Sequence, residues 1–271
     1  MTIGSQRPVE SAQAADALTA RTPARSRIIG LTGAVWVAAA ALSSTRDPGL
    51  IAVAGSFAIG WSHLVGRCGT SHLGALTPLG KIPGRRGRWL VNVLVYVAAG
   101  ALASGGVGAA LGAAGGLLVP SGLRDAALVV VLGVALVAAA SELGVINWRL
   151  PEPDRQTRRE WSQRFRPPVP AALWGLGLGL TVATVFTFSG TWLVLTLPVA
   201  LGEPTAGALL LVAHWFGRAV PVLVGPALLD HAAHTPDLMD DVAKARVVFR
   251  ATNVVGIGLM SLSSILLIAG A

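Results

Sequence analysis

Cysteine occurs once in the 271 residues, at Cys68. One thiol excludes an internal disulfide and any zinc cluster built from several cysteines, so cysteine usage identifies no redox compartment. Charge is scarce too. Charged residues make up 13% of the chain against 53% hydrophobic, with a mean hydropathy of +0.66, whereas a soluble domain carries about 25% charged residues. So little charge cannot cover a water-soluble surface, and the composition predicts an all-α polytopic membrane protein. Acidic residues are fewer than basic ones, 13 against 21, giving a net charge of +8. The basic residues gather in short segments between apolar runs, where they read as topology signals, so no nucleic-acid partner is expected. A Ser-His-Asp arrangement with positional support is also lacking, which argues against a conventional enzyme. A glycine-rich run at 89–119 has no strand before it and no Lys-Ser/Thr after it, which excludes a phosphate-binding nucleotide loop.

Seven apolar runs remain, at about 28–44, 50–80, 89–119, 126–145, 171–201, 205–229 and 247–269. The first, of about 17 residues, is at the lower limit for crossing roughly 30 Å of hydrocarbon. The second and fifth are too long for one straight span. In the second, Gly60, Gly66, Gly69, Gly74 and Pro78 predict a break near Gly66 to Gly69; in the fifth, Gly190 and Pro198 are the expected break points. The third carries Gly100, Ser104, Gly108, Gly112 and Gly116 at a spacing of four, a small-residue ridge that lets another helix approach closely.

Seven spans place alternate loops on opposite sides. One side receives Arg7, Arg21, Arg25 and Arg27, the basic segment 81–88, the six arginines between 147 and 170, and the segment 230–246. The other receives Arg46 and Arg124. This asymmetry predicts a cytoplasmic N-terminus and an external C-terminus in a bacterial inner membrane. Residues 1–27, rich in Ala, Ser, Thr and Arg without an apolar core, read as a disordered cytoplasmic tail and not as a cleaved signal. The transmembrane domain then covers 28–270.

Polar residues inside apolar runs need a reason, and they mark the candidate site. In the second run these are His63, Arg67, Cys68 and His72, with Pro78 nearby. Cations beside Cys68 favour its thiolate, which makes it the candidate catalytic group; the alternative is a small buried side chain at a helix break. His63, Cys68 and His72 lack a fourth ligand, and no metal and no other cofactor is expected. In the fifth run Thr181, Thr184, Thr187, Ser189 and Thr191 offer either a polar path or bonds to their own helix. In the sixth, His214 and Arg218, four apart, make one face polar. Arg218 either faces a cavity or bonds carbonyls freed near Pro221. Glu142 lies too near the end of its run to assign.

The stretches 50–119 and 171–229 share an order: a long, glycine-interrupted apolar run with polar residues midway, a short loop, then a run rich in small residues. Each begins on the opposite side of the membrane from the other. That is the pattern of a 3+3 inverted repeat with broken helices, here preceded by one extra helix. The first repeat covers about 50–145 and the second about 171–270, joined by the cytoplasmic segment 147–170.

With AVAGSFAIGWSHLVGRCGTSHLGALTPLG at 52–80 and the Gly-Arg-x-x-Pro at 217–221, the chain resembles the transmembrane CcdA/DsbD proteins. It is more similar still to their cysteine-poor branch, the methylamine utilisation protein F group. Cys68 takes the family's first cysteine position, while Thr187 to Gly190 stand where the second would be. The resemblance implies an accessory role in periplasmic redox or metalloprotein maturation, of the cytochrome c or methylamine dehydrogenase type. It also implies a periplasmic thioredoxin-like or metalloprotein partner beside the lipid bilayer. Thiol–disulfide transfer needs two thiols, so Cys68 would have to use one from that partner. The alternative from another class is a small-solute or ion transporter on the same scaffold.

Overall fold

The computed structural model describes residues 24–147, 160–181 and 186–270. These residues form helices and turns, with no strand among them. The longer helices are α1 (Ala24–Ser43), α2 (Pro48–Ser62), α3 (Arg67–Leu76), α4 (Arg86–Leu118) and α5 (Arg124–Glu142). They continue with α6 (Val169–Gly179), α7 (Thr191–Leu201), α8 (Pro204–Leu228), α9 (Thr235–Lys244) and α10 (Arg246–Ile268). Six helices are long and apolar enough to cross a membrane, α2 counting with the 3-10 turn that extends it to Val65. The short apolar helices α6 and α7 divide the fifth run between them.

Local chemistry sets the helix ends. The Asp47 carboxylate accepts the Leu50 N–H at 3.0 Å and Pro48 opens α2, an N-cap followed by a residue that has no N–H to leave unpaired. Glu203 and Pro204 do the same for α8. At the end of α7, Gly202 takes the left-handed conformation (φ +64°) that closes a helix, its N–H bonded to the Pro198 carbonyl at 3.1 Å. Pro198 therefore stands inside α7 and is not a break point. Among the described residues α6 ends at Gly179 and α7 begins at Thr191, so the interruption starts well before Gly190.

The long helices pack in a reciprocal pattern. Helix α2 lies against α8 and α10, while α6 lies against α4, and α7 against α4 and α5; α4 also meets α8, and α5 meets α10. The small-residue ridge of α4 makes this possible. A side chain at Gly108 would strike the backbone of Gly207 and Ala208, one at Gly112 the backbone of Glu203 and Pro204, and one at Gly115 that of Val199. The ridge ends on Gly115, with Gly116 exposed, because a 3.6-residue period drifts away from strict steps of four.

Helix α1 rests on the outside of the bundle, burying only Ile28, Thr32 and Ala39. Two indoles hold it: Trp61 donates to Thr32 Oγ1 at 3.1 Å, and Trp36 donates to Thr252 Oγ1 at 3.0 Å. It begins four residues before the apolar run, so 24–27 are helical and not part of an irregular tail. The Arg27 guanidinium pairs with Asp230 at 3.1 Å, and the Arg25 N–H meets Asp241 at 3.2 Å. The expected tail at 1–23 lies outside the described residues, as do 148–159 of the central loop and Thr184 of the fifth run. The charged segment 230–246 contains α9, an amphipathic helix docked through Leu238 and Val242.

Leucine at Gly108 should overpack the α4–α8 contact and lower stability by at least about 1 to 3 kcal/mol. Gly106→Leu, on a face with nothing within 4 Å, should fold like the wild type. Folded yield and thermal midpoint of the two purified variants measure the difference.

Candidate functional site

Two interrupted helices build the site. After Ser62 the chain tightens into a single 3-10 turn, His63–Val65, then extends at Gly66 (φ −74°, ψ 159°) before α3 begins. The break expected near Gly66 to Gly69 is therefore present and begins at His63. The second interruption, ending at Gly190, lies against the first. A Cβ at Gly66 would overlap the Thr187 hydroxyl, which only glycine avoids, and one at Gly190 would overlap the Asn253 amide and press on Ile59.

His63 joins the two breaks. Its Nδ1 lies 2.8 Å from the Ile59 carbonyl, which can only accept, so that nitrogen carries the proton. Nε2 lies 2.8 Å from the hydroxyl of Thr191, the first residue of α7. The Thr191 hydroxyl can thus donate to an unprotonated Nε2, or, if the ring is doubly protonated, accept from it. His214 stands edge-on to His63, ring centroids 5.3 Å apart and planes at 81°. His214 is fully buried, and among the described residues neither of its ring nitrogens has a hydrogen-bond partner. The Ser56 backbone comes near the ring without hydrogen-bonding geometry. Ser56 itself donates to the Leu210 carbonyl at 2.7 Å, one turn earlier on α8.

Arg218 follows His214 by one turn and is also buried. Its Nη1 donates to the Leu178 carbonyl at 3.3 Å, at the frayed end of α6. A carbonyl at a helix end does hold the guanidinium, sharing it with the Thr181 N–H at 3.1 Å, but it belongs to α6 and not to the stretch near Pro221. Close by, His72 directs Nδ1 to the Cys68 carbonyl at 2.5 Å and packs between Tyr96 and Trp174, ring centroids 5.8 and 5.3 Å away. Tyr96 is the chain's one tyrosine and tilts against Trp215 at 5.0 Å.

The other residues singled out in the sequence fall as follows. Cys68 is buried beside Leu76, Val93 and Tyr96 in an apolar cluster. Arg67, its sequence neighbour, is exposed. Pro78 belongs to the 3-10 turn Thr77–Lys81, which packs on Gly225 and Pro226 of α8. His63, Cys68 and His72 do not converge: among the described residues no three His, Cys, Asp or Glu side chains group as metal ligands. Ser189 contributes its backbone, whose N–H donates to Glu142 Oε1 at 2.7 Å.

Glu142 and Asn253 belong to the site although nothing in the sequence reading placed them there. Glu142 is buried, with Arg250 at 3.9 Å from its second oxygen, and it fixes the end of the second interruption. Asn253 is fully buried on α10 with neither amide atom partnered among the described residues. Each is an isolated polar side chain in an apolar run, the same signal that drew attention to His214.

A thiol buried this deeply meets water only when the bundle opens. A membrane-permeant maleimide should therefore leave Cys68 unlabelled in native membranes at neutral pH over a time that fully labels the protein after denaturation in detergent. Rapid labelling without denaturant would contradict the placement of Cys68.

Three proteins described as methylamine utilization protein MauF are similar to this chain. The one from Paracoccus versutus is 30% identical over 203 residues, covering 74% of this chain and 73% of the relative. The one from Paracoccus denitrificans is 31% identical over 212 residues, 74% and 75%. The third, from Methylobacillus flagellatus, is 28% identical over 200 residues, 72% and 69%. No protein-family model and no solved structure matches the chain. At that identity and coverage, the chain belongs to the family of the methylamine utilization protein MauF.

Proposed function

We propose that the protein is a membrane component of methylamine utilisation that assists the maturation of a redox or metalloprotein partner outside the membrane, and that it does so without a thiol–disulfide relay of its own. The relatives' shared name supports the first part. The observation that carries the second is the meeting of the two helix breaks. Where a CcdA/DsbD-like transfer pathway would bring two cysteines together, Thr187 stands against Gly66, and the one cysteine is buried in an apolar cluster. Disulfide exchange needs an attacking thiolate and a second sulfur, and this chain holds only one sulfur of that kind. The buried polar core supports a second reading, passage of a small solute through the same scaffold. The steep asymmetry of basic residues supports a cytoplasmic N-terminus; reporters fused at Asp47 and Asp240 would then report opposite sides.

Deleting the gene in its host should abolish growth on methylamine and leave growth on other substrates intact, and a plasmid copy carrying Cys68→Ala should restore it fully. Growth of the deletion strain on methylamine would remove the first part of the reading. Failure of Cys68→Ala, with normal protein levels, would return the thiol to the mechanism.

A further inference from the structure

We propose that the face joining Arg218 to His214 is a binding site for a small planar oxyanion, a carboxylate or nitrate-like ion held in the middle of the bundle. The first observation is a charge without a counter-charge. A guanidinium stays protonated wherever it sits, and burying it is strongly unfavourable unless an anion and hydrogen bonds compensate. Among the described residues no carboxylate lies within ion-pair distance of Arg218; its bond to the Leu178 carbonyl uses one of five N–H donors. Residues 182–185, Val-Ala-Thr-Val, contain no acid.

The second observation is independent of that charge. His214 is fully buried with both ring nitrogens unpartnered among the described residues, and an imidazole always presents at least one N–H donor. It lies one turn from Arg218 on the same helix face. The Arg218 charge also reaches His63, His72 and Tyr96, none of which brings a negative charge at neutral pH. Among the described residues no carboxylate compensates the guanidinium, and the acidic groups that reach it are the Tyr96 phenol and the Cys68 thiol; a bound anion would supply the charge that no carboxylate does.

Size limits the ligand. Around this face the helices touch backbone to backbone: Gly60 on His214, Gly175 on Tyr96, and Gly179 on Gly100. Contacts that close leave no space for a lipid headgroup or a sugar phosphate. Arg218 keeps 8% of its surface open. A planar ion with two oxygens on one edge fits the guanidinium fork, as two parallel N–H···O bonds.

The inference does not rest on the methylamine reading, and its test uses the purified full-length protein in detergent micelles. Sodium formate is titrated against sodium gluconate, which is too large for the site, at constant ionic strength. Thermal midpoint and tryptophan emission are followed, since Trp215 and Trp174 lie within the same aromatic cluster. The expected result is a saturable formate response that gluconate does not produce. It should be lost in Arg218→Gln and shifted to at least tenfold higher formate in Arg218→Lys, which keeps the charge, and hence the fold, if the Gln variant does not fold. Identical behaviour of the wild type in the two salts would overturn the proposal. So would an undiminished formate response in Arg218→Lys.

Discussion

Backbone that leaves the helical ladder inside an apolar bundle must find its hydrogen bonds in the protein, because there is no water to supply them. Among the described residues the chain leaves the ladder at His63–Gly66 and again between α6 and α7, where Thr187 meets Gly66. The His63 ring bonds both the Ile59 carbonyl behind it and the Thr191 hydroxyl that opens α7. Glu142 takes up the Ser189 N–H, and Arg218 takes up the Leu178 carbonyl. The polar residues that look like a catalytic inventory are, first of all, what allows these breaks to exist.

Glycine supplies the other half of the arrangement. The breaks can meet only if the helices around them approach to backbone contact, and they do so where Gly60 faces His214, Gly108 faces Gly207, and Gly190 faces Asn253. Close approach brings ring and amide groups together in a space too small for bulk water. His214 and Asn253 end up buried without partners among the described residues. The open ring of His214, one turn from the buried Arg218 guanidinium, makes this part of the bundle a place where a small polar species would be stabilised. Nothing on the lipid-facing side of α4 or α5 offers comparable chemistry.

Much of this was legible in the sequence because it follows from backbone rules. Glycine at position 66 in an over-long apolar run marked the first break, and small residues in steps of four marked the α4 ridge. What depends on three-dimensional pairing was not. Pro198 looked like a breaker but lies within α7, since a proline in an apolar bundle is tolerated where neighbouring helices hold the turn. Gly190, the other expected break point, does lie before α7, but α6 has already ended at Gly179. Glu142 could not be assigned near the end of its run, because its partner, the Ser189 N–H, is 47 residues away. The helix α9 was hidden by its charge, as its apolar stripe is only Leu238 and Val242 wide.

The central claim is that the two breaks stabilise each other through His63 and Thr191. A double-mutant cycle on the unfolding free energy of the purified protein, with His63→Leu, Thr191→Val and the double variant, tests it directly. The bond predicts a coupling of about 1 kcal/mol, with the second substitution costing less once the first is made. Strictly additive losses would mean that the two breaks are held independently, and would contradict the account.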